Sequence, residues 1–250
     1  MRITILGCGT SGGVPRIGNN WGACDPAEPR NRRRRCSILV QQDDTNILVD
    51  TSPDLREQLL DAGVATLDAV LWTHEHADQL NGIDDLRVVV YNQRKRIPAY
   101  ASADCLATIA QRFSYCFVQE TVYPPILEAH EIDGDFSIGP VRVQSFTQDH
   151  GTMNSLGFRF NDAAYSNDCV ELPDEAFDVL DGVRLWIVDC MRYTPHPTHA
   201  HLDRALEWID RVKPERAVLT NMHIDLDYAT LKRELPEGVE PAYDGMVLEI

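Results

Sequence analysis

Thr73-His74-Glu75-His76-Ala77-Asp78-Gln79 follows directly on the apolar run Ala69-Val70-Leu71-Trp72. A short apolar run of this kind reads as a buried strand. Two imidazoles at alternate positions past a strand end can turn into one pocket, and Asp78 adds a carboxylate two residues on. Histidine and aspartate are good ligands for zinc, manganese or iron. One histidine alone is more often an ordinary surface or core residue; the spacing of three makes the metal reading.

Working outward, the same grammar recurs. Ile3 to Leu6 is a short strand that ends in a glycine-rich turn, Gly7-Cys8-Gly9-Thr10-Ser11-Gly12-Gly13. Residues 15–35 carry prolines, asparagines and Gly18 and read as a long loop. Residues 37–40 and 46–49 suggest a hairpin. A helix is expected over 53–62, capped by Ser52 and ended by Gly63. Further strands are expected at 141–146, 156–160, 163–166, 185–188 and 217–220, with a helix at 202–212. His150, Asp168 and His223 each stand just past one of these strands. Loops at strand ends are where layered α/β folds gather functional groups. These three therefore join the candidate ligand set, and the alternation of strands and helices implies an α/β layered fold. Asp50 ends the 46–49 strand and is a candidate to orient a metal-bound imidazole from behind; the competing reading is a simple turn aspartate.

Composition bounds the function. The 250 residues are 44% hydrophobic, enough for a core, and carry a formal net charge of −16. Such a surface repels long polyanions, so no long nucleic acid is expected as a partner. A small phosphate ester remains open, because a metal pocket reverses the local field. The seven cysteines are odd in number and show no C-x-x-C spacing, which reads as reduced thiols of a cytosolic protein. The early residues lack the apolar core of a signal peptide, and no run reaches membrane-spanning length. A cytoplasmic protein with no membrane partner is expected, and a homodimer is compatible with all of this. Gly7-x-Gly9-x-x-Gly12 matches a dinucleotide fingerprint only on paper, since Pro15, Gly18, Asn19 and Asn20 forbid the helix it needs.

His74-x-His76-x-Asp78, with the distant His150, Asp168 and His223, resembles the metallo-β-lactamase superfamily, and the resemblance covers nearly the whole chain. It implies one domain over residues 1–250, an αββα four-layer sandwich with metals in a cleft between sheet edges. The first metal would take His74, His76 and His150. The second would take Asp78 and His223, with Asp168 bridging. The implied cofactor is one or two divalent ions, zinc or manganese. Gln79 departs from the family pattern, which has histidine there; a neutral amide oxygen is a poorer ligand, so the second site is weakened.

Within the superfamily the sequence resembles the PhnP-like phosphodiesterases, through Gly7 to Pro15, Arg33-Arg34-Arg35-Cys36-Ser37, Leu48 to Asp54 and Asn81 to Arg87. Relatives often carry a cysteine cluster for a structural zinc in the early loop; only Cys24 stands there, and that zinc is not carried over. The resemblance implies hydrolysis of a small cyclic or nucleotide-like phosphodiester, with Asp78 and Asp168 positioning the attacking group. His199 is the expected general acid, by its spacing to Leu202, with His201 as the alternative or a phosphate contact. Arg34 and Arg35, from the one dense basic cluster, are expected to grip the phosphate, against the reading of a solvated loop. His130 and His196 read as surface residues. Three alternatives stay open: a tRNA 3′-processing endoribonuclease, a thioesterase or lactonase, and a non-catalytic metal-binding protein of the same fold.

Overall fold

A computed structural model describes residues 1–119 and 122–250. The first half holds strands β1 (Arg2–Gly7), β2 (Ser37–Gln42), β3 (Thr45–Val49), β4 (Ala69–Leu71), β5 (Ile97–Ala101) and β6 (Leu127–Glu131). Its helices are α1 (Leu55–Ala62), α2 (Ala77–Leu80), α3 (Leu86–Gln93) and α4 (Ala103–Arg112). The second half holds β7 (Phe136–Ile138), β8 (Val141–Asp149), β9 (Asn154–Phe160), β10 (Ala163–Ser166), β11 (Leu185–Asp189), β12 (Arg216–Thr220) and β13 (Val239–Pro241). With them come α5 (Asp174–Leu180), α6 (Leu202–Val212) and α7 (Tyr228–Glu234), and the last strand is β14 (Val247–Glu249).

Two seven-stranded sheets result, ordered β14-β1-β2-β3-β4-β5-β6 and β13-β12-β11-β10-β9-β8-β7. Each starts antiparallel, β1 to β3 in one and β7 to β10 in the other, and then runs parallel to β6 or β13. β14 returns to the first sheet and pairs with β1, setting Arg2 against Glu249.

The layers follow from side-chain alternation along strands. Ile38, Val40, Ile47, Val49, Ala69 and Leu71 are fully buried in the cluster shared with Phe158, Phe160 and Tyr165 of the second sheet. Leu39, Leu48 and Val70, the intervening residues, join a separate cluster with Leu55 and Leu59 of α1, Leu86 and Val89 of α3 and Ile109 of α4. The second sheet is covered by Ala176 and Leu180 of α5, Ala205 and Trp208 of α6 and Leu231 of α7. This is the expected αββα sandwich.

α6 occupies the expected 202–212, its Leu202, Ala205 and Trp208 buried at helical spacing. α1 begins later than expected. Asp54, not Ser52, takes the N-cap position, while the Ser52 hydroxyl accepts from the Asp54 N–H at 3.1 Å. Gly63 ends α1 with φ 66°, donating its N–H back to Leu59 and Leu60. No helix among the described residues is long and apolar enough to cross a membrane.

Candidate metal centre

Three strands end on residues with left-handed backbone: Asp50 after β3, Asp168 after β10 and Asn221 after β12, with φ 64°, 53° and 58°. Asparagine and aspartate are the non-glycine residues that tolerate this region best. Each turns its chain sharply at the strand end, beside the cleft.

His74 is fixed from behind. The buried Asp50 carboxylate accepts the Thr73 N–H at 2.8 Å and the Thr73 hydroxyl at 3.0 and 3.1 Å. That hydroxyl, 3.0 Å from His74 Nδ1, accepts its proton in turn. The lone pair is thereby left on His74 Nε2, a buried atom with no protein partner. His150 is fixed likewise: its Nδ1 donates to the Thr198 carbonyl at 2.8 Å, and its Nε2 lies 3.3 Å from His76 Nδ1. The three rings stand with centroids 4.6, 5.0 and 5.1 Å apart, and one ligand atom from each lies within 4.8 Å of the others. Burial, reinforced by the neighbouring histidines, pushes His74 well below its ordinary value. Burial takes His150 down to about 4, against the Thr198 bond. Both are neutral imidazoles near neutral pH, the form that binds metal. An orphaned buried nitrogen among three converging lone pairs fits a divalent cation.

Carboxylates and His199 face this trio. Asp168 is buried and Asp78 half-buried, and burial pushes both carboxyls above their usual range. A cation beside them relieves that penalty. His199 Nδ1 lies 3.2 Å from Asp189 Oδ2 and 3.5 Å from Asp168 Oδ1. Burial disfavours its charge, but the Asp189 bond and the charges of Asp189, Asp168 and Asp78 prevail and hold it at about 9. The cleft between them measures about 130 Å³ and is lined by Ser11, His76, Asp78, His150, Thr152, Asp168, Met191, Thr198 and His199.

The structure thus brings together His74, His76, Asp78, His150, Asp168 and His199, with Gln79 beneath and Asp50 behind. It does not bring in His223. That ring is paired with Arg16 and Asp225, and Asn221 faces Asp168 and His199. Nor do the two arginines line the cleft: Arg34 pairs with Asp61 and Arg35 with Asp54, so each guanidinium is already engaged. His201 stands at the N-cap of α6 with no side-chain cap bond and is not among the lining residues. The sequence reading passed over Asp189, Asn221 and Thr198. Asp189 and Asn221 carried the same signal as Asp168, a polar residue at a strand end.

Comparison with known proteins agrees with this geometry. A family model described as the beta-lactamase superfamily domain matches residues 45–224. A crystal structure of a diphosphatase from the PhnP family superposes with a TM-score of 0.93 at 33% identity, over 100% of this chain and 97% of that one. Zinc-bound PqqB from Methylobacterium extorquens superposes at 0.77 with 18% identity, over 100% of both chains. The short form of human tRNase Z superposes at 0.71 with 16% identity, over 100% and 99%. These last two show the fold alone. Among curated proteins, an octanoyltransferase of Porphyromonas gingivalis (strain ATCC BAA-308 / W83) is 33% identical over 98% of this chain and 51% of its own length. The chain spans about half the length of that relative.

Proposed function

The chain belongs to the metallo-β-lactamase superfamily, as a member of its PhnP type, and from that premise we propose that it hydrolyses a small phosphodiester, cyclic or nucleotide-like. One observation carries the reading. Three imidazole lone pairs converge on one point, and a carboxylate-held histidine faces it across a narrow polar cleft. His74, His76 and His150 would hold a divalent cation, which would supply Lewis-acid chemistry and a water made more acidic near neutral pH. Asp78 and Asp168 accept hydrogen bonds from the attacking water and aim its oxygen in line with the leaving group. Asp189 holds His199 by Nδ1, so Nε2–H gives its proton to the departing alkoxide.

The PhnP-family diphosphatase supports chemistry at phosphorus. The octanoyltransferase name belongs to a protein about twice as long. Acyl transfer through a thiol has no support in this chain, because all seven cysteines are buried and burial raises each thiol. A second reading, hydrolysis of a thioester or lactone, gains from one observation: neither Arg34 nor Arg35 lines the cleft. Purified protein reconstituted with zinc or manganese, assayed on a panel of phosphodiesters, thioesters and lactones, separates the two. Turnover of phosphodiesters above all others is expected; turnover confined to acyl esters would overturn the reading.

A further inference from the structure

A second cation beside the histidine trio would need the carboxylates of Asp78 and Asp168, and the hydrogen bonds there run against it. Gln79 Nε2 donates to Asp168 Oδ2 at 2.7 Å and to Asp78 Oδ2 at 3.1 Å. Asn167 Nδ2 donates to the same Asp168 oxygen at 2.5 Å. Asn221 Nδ2 lies 3.4 Å from Asp168 Oδ1 and 3.2 Å from His199 Nδ1. An amide NH₂ is a donor without a usable lone pair. Both oxygens of Asp168 and Oδ2 of Asp78 are thereby engaged by amide protons, and the amides stand beside the carboxylates a second cation would need. Gln79 and Asn221 are both buried. Turning the Gln79 amide over would set its oxygen against two carboxylates, an unfavourable contact in a buried pocket.

We infer that Gln79 and Asn221 close the second metal position, so that the chain holds one divalent cation, on His74, His76 and His150, beside a hydrogen-bonded carboxylate pair. This rests on the proposed reading of the histidine trio as a metal site. Of the one or two ions the resemblance implies it selects one, since His223 pairs with Arg16 and Asp225 and Asn221 faces Asp168.

The test counts metal, independently of turnover. Apoprotein is titrated with zinc by calorimetry, and the loaded protein is passed through gel filtration and its zinc measured. One equivalent per chain is expected for the native protein. The double variant Gln79→His/Asn221→His, which replaces both donors by lone-pair nitrogens, is expected to take two. Its cooperative thermal melt reports folding; should that melt be lost, the isosteric pair Gln79→Glu/Asn221→Asp is titrated with manganese instead, and again two equivalents are expected. A native count of two or of zero overturns the inference, and so does a folded double variant that still takes one. A count of zero also removes the proposed function. Inactivity on every ester with a count of one removes that function alone and leaves the single-metal assignment supported.

Discussion

Asp50 and Asp168 occupy equivalent stations in the two halves of the sandwich. Each follows the strand at which its sheet changes from antiparallel to parallel pairing, β3 in one and β10 in the other. Each has left-handed backbone. Each has its carbonyl bound by a serine hydroxyl of the adjacent antiparallel strand: Ser37 to Asp50 at 3.0 Å, Ser155 to Asp168 at 2.7 Å. Burial raises both carboxyls. Yet Asp50 spends its oxygens on Thr73 and acts on His74 from behind, whereas Asp168 lines the cleft. One structural device, a strand ending on a twisted aspartate, supplies a buttress in one half and a cleft-lining group in the other. What decides between them is the residue that meets the carboxylate, and not the backbone that carries it.

That contrast can be broken by experiment. His76→Ala removes one of the three converging nitrogens, so elemental analysis should find the metal gone and hydrolysis abolished; full retention of metal would undo the whole assignment of the trio. Next in size is His199→Ala. Loss of a positioned acid costs about 10²–10⁴ in rate, but only where the leaving group needs a proton. The variant should keep its metal, fail on an alkyl diester and stay nearly active on a nitrophenyl diester. Equal loss on both would make His199 a binding or structural residue.

The two aspartates themselves should separate by readout. Asp50→Asn disturbs the path to His74 Nδ1 and should weaken metal binding about 10–100-fold, with turnover restored by excess metal. Asp168→Asn should lower turnover while leaving the affinity of the histidine trio nearly unchanged. Identical behaviour would mean that the two stations do the same work. The smallest effect is expected of the serines. Ser37→Ala and Ser155→Ala each remove one hydroxyl hydrogen bond, a loss of about 1 kcal/mol and roughly 2–4 °C in Tm. Only Ser155→Ala should also disturb turnover; an equal effect from Ser37→Ala would contradict the division of labour.

The His74-x-His76-x-Asp78 trio was legible as a cluster because its members are adjacent in sequence and need only a strand end to face one cleft. Asp168 and His150 were legible by the same strand-end rule. His223 was not, because residue type was read without the turn. At the third strand end it is Asn221, with φ 58°, that faces Asp168 and His199, two residues before His223. Arg34 and Arg35 misled for a related reason. A basic cluster in sequence says nothing of Asp61 and Asp54, which engage the two guanidiniums from α1 and its N-cap. The alternation of strands and helices gave an α/β layered fold, and the resemblance supplied the sandwich; the side chains of 38–40 and 47–49 then alternate between the two clusters. β5, β6, β7, β13 and β14 were not legible; β5 and β13 each carry a proline, Pro98 and Pro241, which argues against a strand.

The pairing of β1 with β14 sets a condition on time as well as on space. Arg2 and Glu249 are partners in one ladder, so β1 keeps an open edge until β14 has been made. During synthesis at about 5–20 residues per second, the first sheet spends many seconds with β1 unpaired on that side. Contacts so distant along the chain form late. The nascent first half is therefore the state of this molecule most exposed to pairing with a wrong strand.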